Sequence, residues 1–389
     1  MSSRCTHFEL CGGCQFLDMP YPDQLAQKHK KLLAQFLDIW PDWQDKILPI
    51  LPCSEQEYFR NKMEFAFSVK GTEQNPEFGE VYLGLKKRGS FCHIIPITHC
   101  YLQSETTNKL LAQTAAFFTK AGFTTWNYHC HQGLLRYLAI RQSKTTGHFM
   151  VILIASEWQE LFNTWAEELS QHFPEISGVL VGIHAGQGDT AFTQDLRLLK
   201  GHAVLEETLD GLRFQLGPQS FFQTNTNQAK VLYQTIASFA DLKPTDTVFD
   251  LYCGTGTIGL YLAKHAGKII GIDENPASIE NAHENAQINN IYNAEFIAQN
   301  VKNFLKFDPT IPDVIVVDPP RDGLIPKALR RILEKNVSQL IYVSCNPKTL
   351  MRDLPLLIEG GYSVIKIQPV DMFPHTGHVE LVVKLIKHI

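Results

Sequence analysis

A cysteine stands in Val343-Ser344-Cys345-Asn346-Pro347, 25 residues after Asp318-Pro319-Pro320-Arg321. Each segment follows a short apolar, β-branched run, 314–317 before the first and 340–343 before the second. Runs of this kind read as buried parallel strands. Both segments therefore sit where a strand ends and a loop begins, on the edge of an open α/β sheet where ligands bind. A thiol at that edge is presented to a substrate and, once deprotonated, is a nucleophile. Cys345 is the candidate nucleophile on these grounds.

A second chemical segment is Asp250-Leu251-Tyr252-Cys253-Gly254-Thr255-Gly256-Thr257-Ile258-Gly259. Gly254 and Gly256 let the backbone turn tightly and come close to a ligand, and a helix start behind them favours negative groups. Asp273 ends the following strand, 19 residues after Gly254, where a carboxylate takes both hydroxyls of a ribose. The spacing Gly254, Gly256, Gly259 matches the dinucleotide pattern G-x-G-x-x-G. Asp250, however, suits a cationic or hydroxyl-bearing ligand better than a pyrophosphate. The Asp318 loop has no role in hydride transfer. Together these favour S-adenosylmethionine over NAD.

A third cluster is Cys5, Cys11 and Cys14, spaced C-x₅-C-x₂-C around the supple pair Gly12-Gly13. Three thiolates need a fourth to close a cluster or a tetrahedral zinc site, and Cys92 and Cys100 are the nearby choices.

The elements that must position these groups change character along the chain. The 389 residues are enough for two or three domains with ample core. With 44% hydrophobic and 19% charged residues the chain is neither disordered nor fibrous. The longest apolar run, 149–155, is too short for a bilayer. The N-terminus lacks a basic patch followed by an apolar core, so no secretory signal is visible. Nine cysteines without such a signal point to the reducing cytoplasm and to metal binding or catalysis. Net charge is −5 with a pI near 6.3, so nucleic-acid contact must rest on local basic patches. These are Lys28, Lys30 and Lys31; Arg60 and Lys62; and Lys86-Lys87-Arg88.

Residues 23–38 read as an amphipathic helix with Leu25, Leu32, Leu33, Phe36 and Leu37 on its apolar side. Between 58 and 205 strand-like and helical runs mix irregularly. After 205, strand candidates at 247–250, 268–272, 294–298, 313–317, 340–344, 363–369 and 380–386 alternate with helices that start at polar or proline positions such as Asn275-Pro276 and Asn346-Pro347. This is the βαβ alternation of a doubly wound parallel sheet, with the last two strands pairing as an antiparallel hairpin. The expected division is 1–205, a mixed α/β region that carries the cysteine cluster, and 206–389, a doubly wound, Rossmann-like domain.

The ordered set of motifs resembles the S-adenosylmethionine-dependent RNA 5-methyluridine methyltransferases, the bacterial 23S rRNA (uracil-5-)-methyltransferases and their tRNA-acting relatives. The resemblance covers Cys5, Cys11 and Cys14, Phe59-Arg60-Asn61-Lys62, Gly133-Leu134-Leu135-Arg136 with Ile140-Arg141, and Gln219-Ser220-Phe221-Phe222-Gln223-Thr224-Asn225. It continues through the Gly-rich turn and the Asp318 and Cys345 segments to Phe373-Pro374-His375-Thr376 and His378-Val379-Glu380. Many relatives carry an N-terminal RNA-binding β-barrel ahead of the cysteine motif. Here Cys5 lies almost at the start, as in the short ribosomal form, whereas Cys11-Gly12-Gly13-Cys14-Gln15 looks more like the longer form.

The resemblance implies methyl transfer to carbon 5 of a uridine in RNA, with 23S rRNA favoured and the tRNA T-loop as the alternative. It implies Cys345 as the thiolate that adds to carbon 6 and Glu380 as the base that removes the carbon-5 proton. Cofactor contacts fall to Gln223, Tyr252, Thr257, Asp273, Asn300 and Asp318. Tyr252 stands where relatives often have Phe, and Asp273 where they often have Glu. The implied metal centre is a [4Fe-4S] cluster on Cys5, Cys11, Cys14 and Cys100, read as a structural clamp, with zinc as its rival. The target uracil must be unpaired or flipped, with Phe221, Phe222 and Phe373 bordering its pocket and Arg60, Lys62, Arg136 and Arg141 meeting RNA. The protein is expected to be a cytoplasmic monomer without a membrane partner. A protein or small-molecule methyltransferase would not need Cys345. A non-catalytic RNA-binding Fe–S protein would survive its loss.

Overall fold

The alternation after residue 205 folds as a seven-stranded sheet with helices between the parallel strands. In the computed structural model, residues 5–71, 79–90 and 92–387 are described. The order across this sheet is Ala294–Ala298, Lys268–Asp273, Thr247–Leu251, Val314–Val317, Gln339–Ser344, Glu380–Lys387, Tyr362–Val370. The first five run parallel. Glu380–Lys387 alone runs the other way, wedged antiparallel between Gln339–Ser344 and Tyr362–Val370. Four buried residues, Val314–Val317, make the central strand, as expected for a strand covered on both faces.

The connecting helices begin where their caps dictate. Asn275, Asn300 and Asn346 each accept a hydrogen bond from the backbone N–H two residues on, and Pro276 and Pro347 occupy the first helical turn, where no N–H is missed. Capping fixes where each helix starts and hence the length of every loop at the carboxyl edge.

The chain divides into two units that interleave. One contains residues 5–18, 55–207 and 216–219, and the other 19–54, 208–215 and 220–387. The helix Tyr21–Leu37 thus belongs with the methyltransferase sheet. Leu32 and Phe36 are buried in that core, and Leu25, Leu33 and Leu37 pack against it. The segment after it runs beside the outer strand: Leu48 N donates to Ile367 O at 2.9 Å and Leu51 N to Pro369 O at 2.9 Å. These bonds cover an edge that would otherwise present unpaired backbone groups.

The other unit is a second seven-stranded sheet, ordered Ile94–Pro96, Gly79–Lys86, Lys62–Gly71, Leu135–Gln142, Phe149–Ala155, Ile176–Ile183, Asp195–Gly201. Its one parallel pair, Phe149–Ala155 with Ile176–Ile183, is joined by the helix Leu161–His172. That helix and Glu105–Ala121 bring Phe118, Phe162 and Trp165 together beside Phe67. Among the described residues no helix is long and apolar enough to cross a membrane.

The expected Fe–S cluster is not supported, and the fold class is corrected accordingly. Cys5, Cys11, Cys14 and Cys100 do line one small cavity with His7, Leu17 and Leu102. Yet among the described residues no group of three or more His, Cys, Asp or Glu side chains is placed to hold a metal ion, iron or zinc. Burial pushes the Cys14 thiol up to about 12 and the Cys100 thiol up to about 11. Cys92 is exposed and outside this cavity.

Asp353, on the helix Pro347–Glu359, ties that helix to the loop at Leu324 and to the strand Gln339–Ser344. Its Oδ2 accepts from Leu324 N at 2.9 Å and from Tyr342 Oη at 2.8 Å, and its Oδ1 accepts from Arg352 Nε at 2.8 Å. Asp353→Ala strands two buried donors, so it is expected to lower stability by about 2–3 kcal/mol, read as a lower urea midpoint. An unchanged midpoint would show that the carboxylate is dispensable.

Candidate active site

Strand register brings the two predicted catalytic residues together. Ser344 pairs with Leu381 across the antiparallel strands, so Cys345 and Glu380, one step further, lie side by side at the carboxyl edge. Leu251 pairs with Val317 and Val317 with Tyr342, which sets Asp318 at the same edge. Glu380 is only 4% exposed. Burial, with Asp318 adding to it and Arg321 opposing it, pushes the Glu380 carboxyl up to about 8. Burial followed by Glu380 and Asp318 pushes the Cys345 thiol up to about 11, and burial raises Asp318 to about 6. At neutral pH the site therefore holds a neutral thiol beside a neutral acid.

The Asp318 and Cys345 loops are tied through Arg321. Its backbone carbonyl accepts from Asn346 Nδ2 at 3.1 Å and Thr349 Oγ1 at 3.4 Å. Its guanidinium meets the imidazole of His378, with Nη2 3.2 Å from Nδ1, and Phe373 lies edge-on to that ring. Arg321 thus links the two loops to the segment that leads into Glu380.

The Gly-rich turn lies on the same edge. Gly254 has φ +53°, and a side chain there would meet nothing within 4 Å, so the turn is open to a ligand. Gly256, at φ +77°, has no such room, because an added Cβ would come within 2.8 Å of the Phe296 ring. Asp273 is held by Gly254 N at 3.1 Å on Oδ2 and by Asn275 N at 2.9 Å on Oδ1. Each oxygen keeps a lone pair for a hydroxyl. Tyr252 is half-buried with φ +64°, its ring held at the strand end. Thr257 Oγ1 accepts from Tyr233 Oη at 3.0 Å, Asn300 Nδ2 donates to Glu274 Oε2 at 2.8 Å, and Gln223 is buried. Asp250 differs from its expected role. It is fully buried, and its Oδ2 accepts from Gly259 N at 2.8 Å, so it braces the turn from beneath. Its Oδ1 has no hydrogen-bond partner among the described residues. An open, acid-edged turn of this shape fits the ribose and cationic sulfonium of S-adenosylmethionine.

The expected RNA contacts divide sharply. Arg136 has no exposed surface. Its guanidinium donates to the carbonyls of His184, Gly186 and Gly188 and stacks on Trp126. Arg141 is buried as well, and Lys28 pairs with Asp371 inside the methyltransferase unit. Lys62, half-buried and paired with Glu64, keeps its ammonium near solvent, and Lys87 and Arg88 are exposed. Of the two adjacent phenylalanines, Phe222 is core and Phe221 is 63% exposed.

Sequence reasoning missed the polar contacts behind Glu380. Gln24 and Lys28 are buried on the helix Tyr21–Leu37. Their signal was present in the sequence: two polar residues four apart, on the stripe that continues to Leu32.

This fold, with its acid-edged turn and carboxyl-edge site, defines a class I S-adenosylmethionine-dependent methyltransferase. Residues 203–388 match the family model described as tRNA (Uracil-5-)-methyltransferase. An uncharacterized RNA methyltransferase of Bacteroides thetaiotaomicron is 38% identical over 396 residues, 98% of this chain and 87% of the relative. Another, of Clostridium tetani, is 38% identical over 393 residues, 99% and 84% of the two chains. Among solved structures, the Pyrococcus abyssi tRNA (uracil-54, C5)-methyltransferase in complex with S-adenosyl-L-homocysteine superposes with a TM-score of 0.79 at 30% identity, covering 97% of this chain and 85% of that one. The chain belongs to the S-adenosylmethionine-dependent RNA (uracil-5-)-methyltransferases and carries that activity. The 23S rRNA subfamily and substrate are corrected, because the matching family model and structure are those of tRNA enzymes.

Gly254→Ala places a methyl group in the open face of the turn. Stability should fall by only about 1 kcal/mol, the cost of a left-handed alanine, while S-adenosylhomocysteine affinity falls at least about tenfold by calorimetry. Unchanged affinity would remove the turn from the cofactor site. Glu380 supplies a second test. Because its folded carboxyl is raised to about 8, the stability it contributes is present at low pH and lost as pH rises through that value. The melting temperature of the wild type should therefore drop more steeply between pH 5 and 8 than that of Glu380→Gln, with the two curves running parallel above pH 9. Curves parallel throughout would show that Glu380 is not buried in a low-dielectric pocket.

Proposed function

We propose that this enzyme methylates carbon 5 of a T-loop uridine in tRNA, with Cys345 as nucleophile and Glu380 as base. The observation that carries the chemistry is the adjacency of these two residues across the Ser344–Leu381 register, beside Asp318. The tRNA assignment rests on the likeness to the Pyrococcus abyssi tRNA enzyme.

Carbon 5 of uracil is a poor nucleophile. Cys345 gives up its proton to water and forms a bond to carbon 6, and the displaced π electrons make an enolate with electron density at carbon 5. When bound, S-adenosylmethionine supplies the electrophilic methyl that carbon 5 takes. Glu380, once its own proton has passed to water, removes the carbon-5 proton. The electrons of that C–H bond restore the ring double bond, and the bond to Cys345 breaks. Gln223, Tyr252, Thr257, Asp273, Asn300 and Asp318 are assigned to hold the cofactor. Recognition of RNA is assigned to the N-terminal unit, where Lys62, Lys87 and Arg88 offer charge to phosphates.

A tRNA transcript carrying 5-fluorouridine tests this reading, since fluorine cannot leave as a proton and the adduct persists. With S-adenosylmethionine, a denaturation-resistant complex should form, map to the T-loop, and vanish with Cys345→Ala. No complex, or one that survives that substitution, would overturn the nucleophile. A complex with a 23S rRNA transcript alone would overturn the substrate.

A further inference from the structure

The loop 371–379 leads directly into Glu380, yet it has no helix or strand of its own. Within it, Thr376 Oγ1 and Thr376 N donate to Phe373 O at 2.9 and 3.3 Å, and His378 N donates to Thr376 Oγ1 at 3.2 Å. His375 sits at φ +65°, a left-handed conformation that a non-glycine residue keeps only when its surroundings hold it. Three residues of the helix Tyr21–Leu37 do so. Gln24 Oε1 accepts from His375 N at 2.9 Å, and Gln24 Nε2 lies 3.1 Å from His375 Nδ1. Lys28 Nζ donates to Asp371 Oδ1 at 2.6 Å and to Phe373 O at 3.1 Å. Tyr21 Oη donates to Asp371 Oδ2 at 2.8 Å. The pair Lys28–Asp371 is almost wholly buried, with 2% and 0% of the side chains exposed.

A buried ion pair is a poor source of net stability, because desolvation offsets most of the attraction. What it supplies is a single geometry. Here that geometry is imposed on loop backbone at 373 and 375, a few residues before Glu380 and beside the His378–Arg321 contact. Asn225 Nδ2 adds one further bond, to Met372 O at 3.2 Å.

We propose that Gln24 and Lys28 are positioning residues for the base: they fix the loop 371–379 so that Glu380 meets the carbon-5 proton of the adduct. The inference rests on the assignment of Cys345 and Glu380 made above. It separates two half-reactions. Addition by Cys345 depends on the loop 345–346, which Ser344 and Arg321 brace through Asn346, whereas resolution of the adduct depends on the loop that the helix grips. Loss of the grip should therefore leave the enzyme able to attack and methylate, but slow to let go.

The test uses the full-length protein, S-adenosylmethionine and ordinary unmodified tRNA transcript, quenched in denaturant and resolved on gels. A parallel reaction with 5-fluorouridine transcript isolates addition. Gln24→Ala should form the fluorinated adduct at a rate within about threefold of wild type. Its turnover on ordinary uridine should fall at least about tenfold, with a denaturation-resistant complex accumulating that carries the methyl group. Gln24→Glu keeps the acceptor for His375 N and the side-chain volume, so it folds even where the alanine variant does not. It should accumulate complex at a level between wild type and Gln24→Ala, or simply above wild type if the latter is insoluble. Equal losses of addition and turnover without accumulated complex would overturn the proposal and leave the helix a purely structural element. Glu380→Gln, run alongside, distinguishes the two levels. If it accumulates complex and the Gln24 variants do not, the positioning role alone fails. If Glu380→Gln also turns over without complex, the base assignment fails and the proposal with it.

Discussion

The site depends on one strand pairing. Inserting Glu380–Lys387 antiparallel between Gln339–Ser344 and Tyr362–Val370 makes the end of one strand and the start of another coincide. Side chains alternate faces along a strand, so a slip of one residue would turn Glu380 away from Cys345. The flanking strands leave little freedom for such a slip. Buried Leu381, Val382, Val383 and Leu385 fill the sheet interior in one register only. Packing of ordinary apolar residues thus holds the catalytic pair in place.

That placement has an electrostatic consequence. Burial disfavours the charged form of both the carboxyl and the thiol, Asp318 adds to both effects, and Glu380 adds to that on Cys345. The resting enzyme avoids the conflict by keeping both protons. Arg321 lies close enough to favour the charged forms when they are needed, and its own position is fixed by Asn346, Thr349 and His378. The reaction is then a sequence of single charges passing through one small site.

Much of this was legible in the sequence, for identifiable reasons. The seven strands after residue 205 and their antiparallel end announced themselves because buried runs and Asn-Pro caps are local signals. The apolar side of the helix at 21–37 was equally plain. Its destination was not, since nothing local in Leu32 or Phe36 says that they pack on a sheet formed more than two hundred residues later. The basic residues misled for a related reason. Arg136, Arg141 and Lys28 look like RNA contacts when charge alone is read, but each is buried, and Arg136 holds backbone carbonyls while Lys28 holds a carboxylate. The cysteine spacing misled in the same way, because thiols that converge on a cavity are not thereby placed as ligands. Asp250 was rightly singled out but wrongly aimed: its partner is the helix behind the turn.

The bond from Lys28 to Asp371 spans 343 positions of chain. Contacts of such separation form late, because the intervening loop must be closed before they contribute. During synthesis the helix Tyr21–Leu37 emerges well before the hairpin that receives it. Until then its apolar stripe has Trp40 and Trp43 beside Phe36 but not the sheet, and an aggregation-prone surface stays open. Premature termination anywhere before the final hairpin would therefore leave this helix without a seat. The same arrangement ties the site to long-range closure, since the helix Tyr21–Leu37 and the loop that leads into Glu380 come together only once the intervening chain has folded.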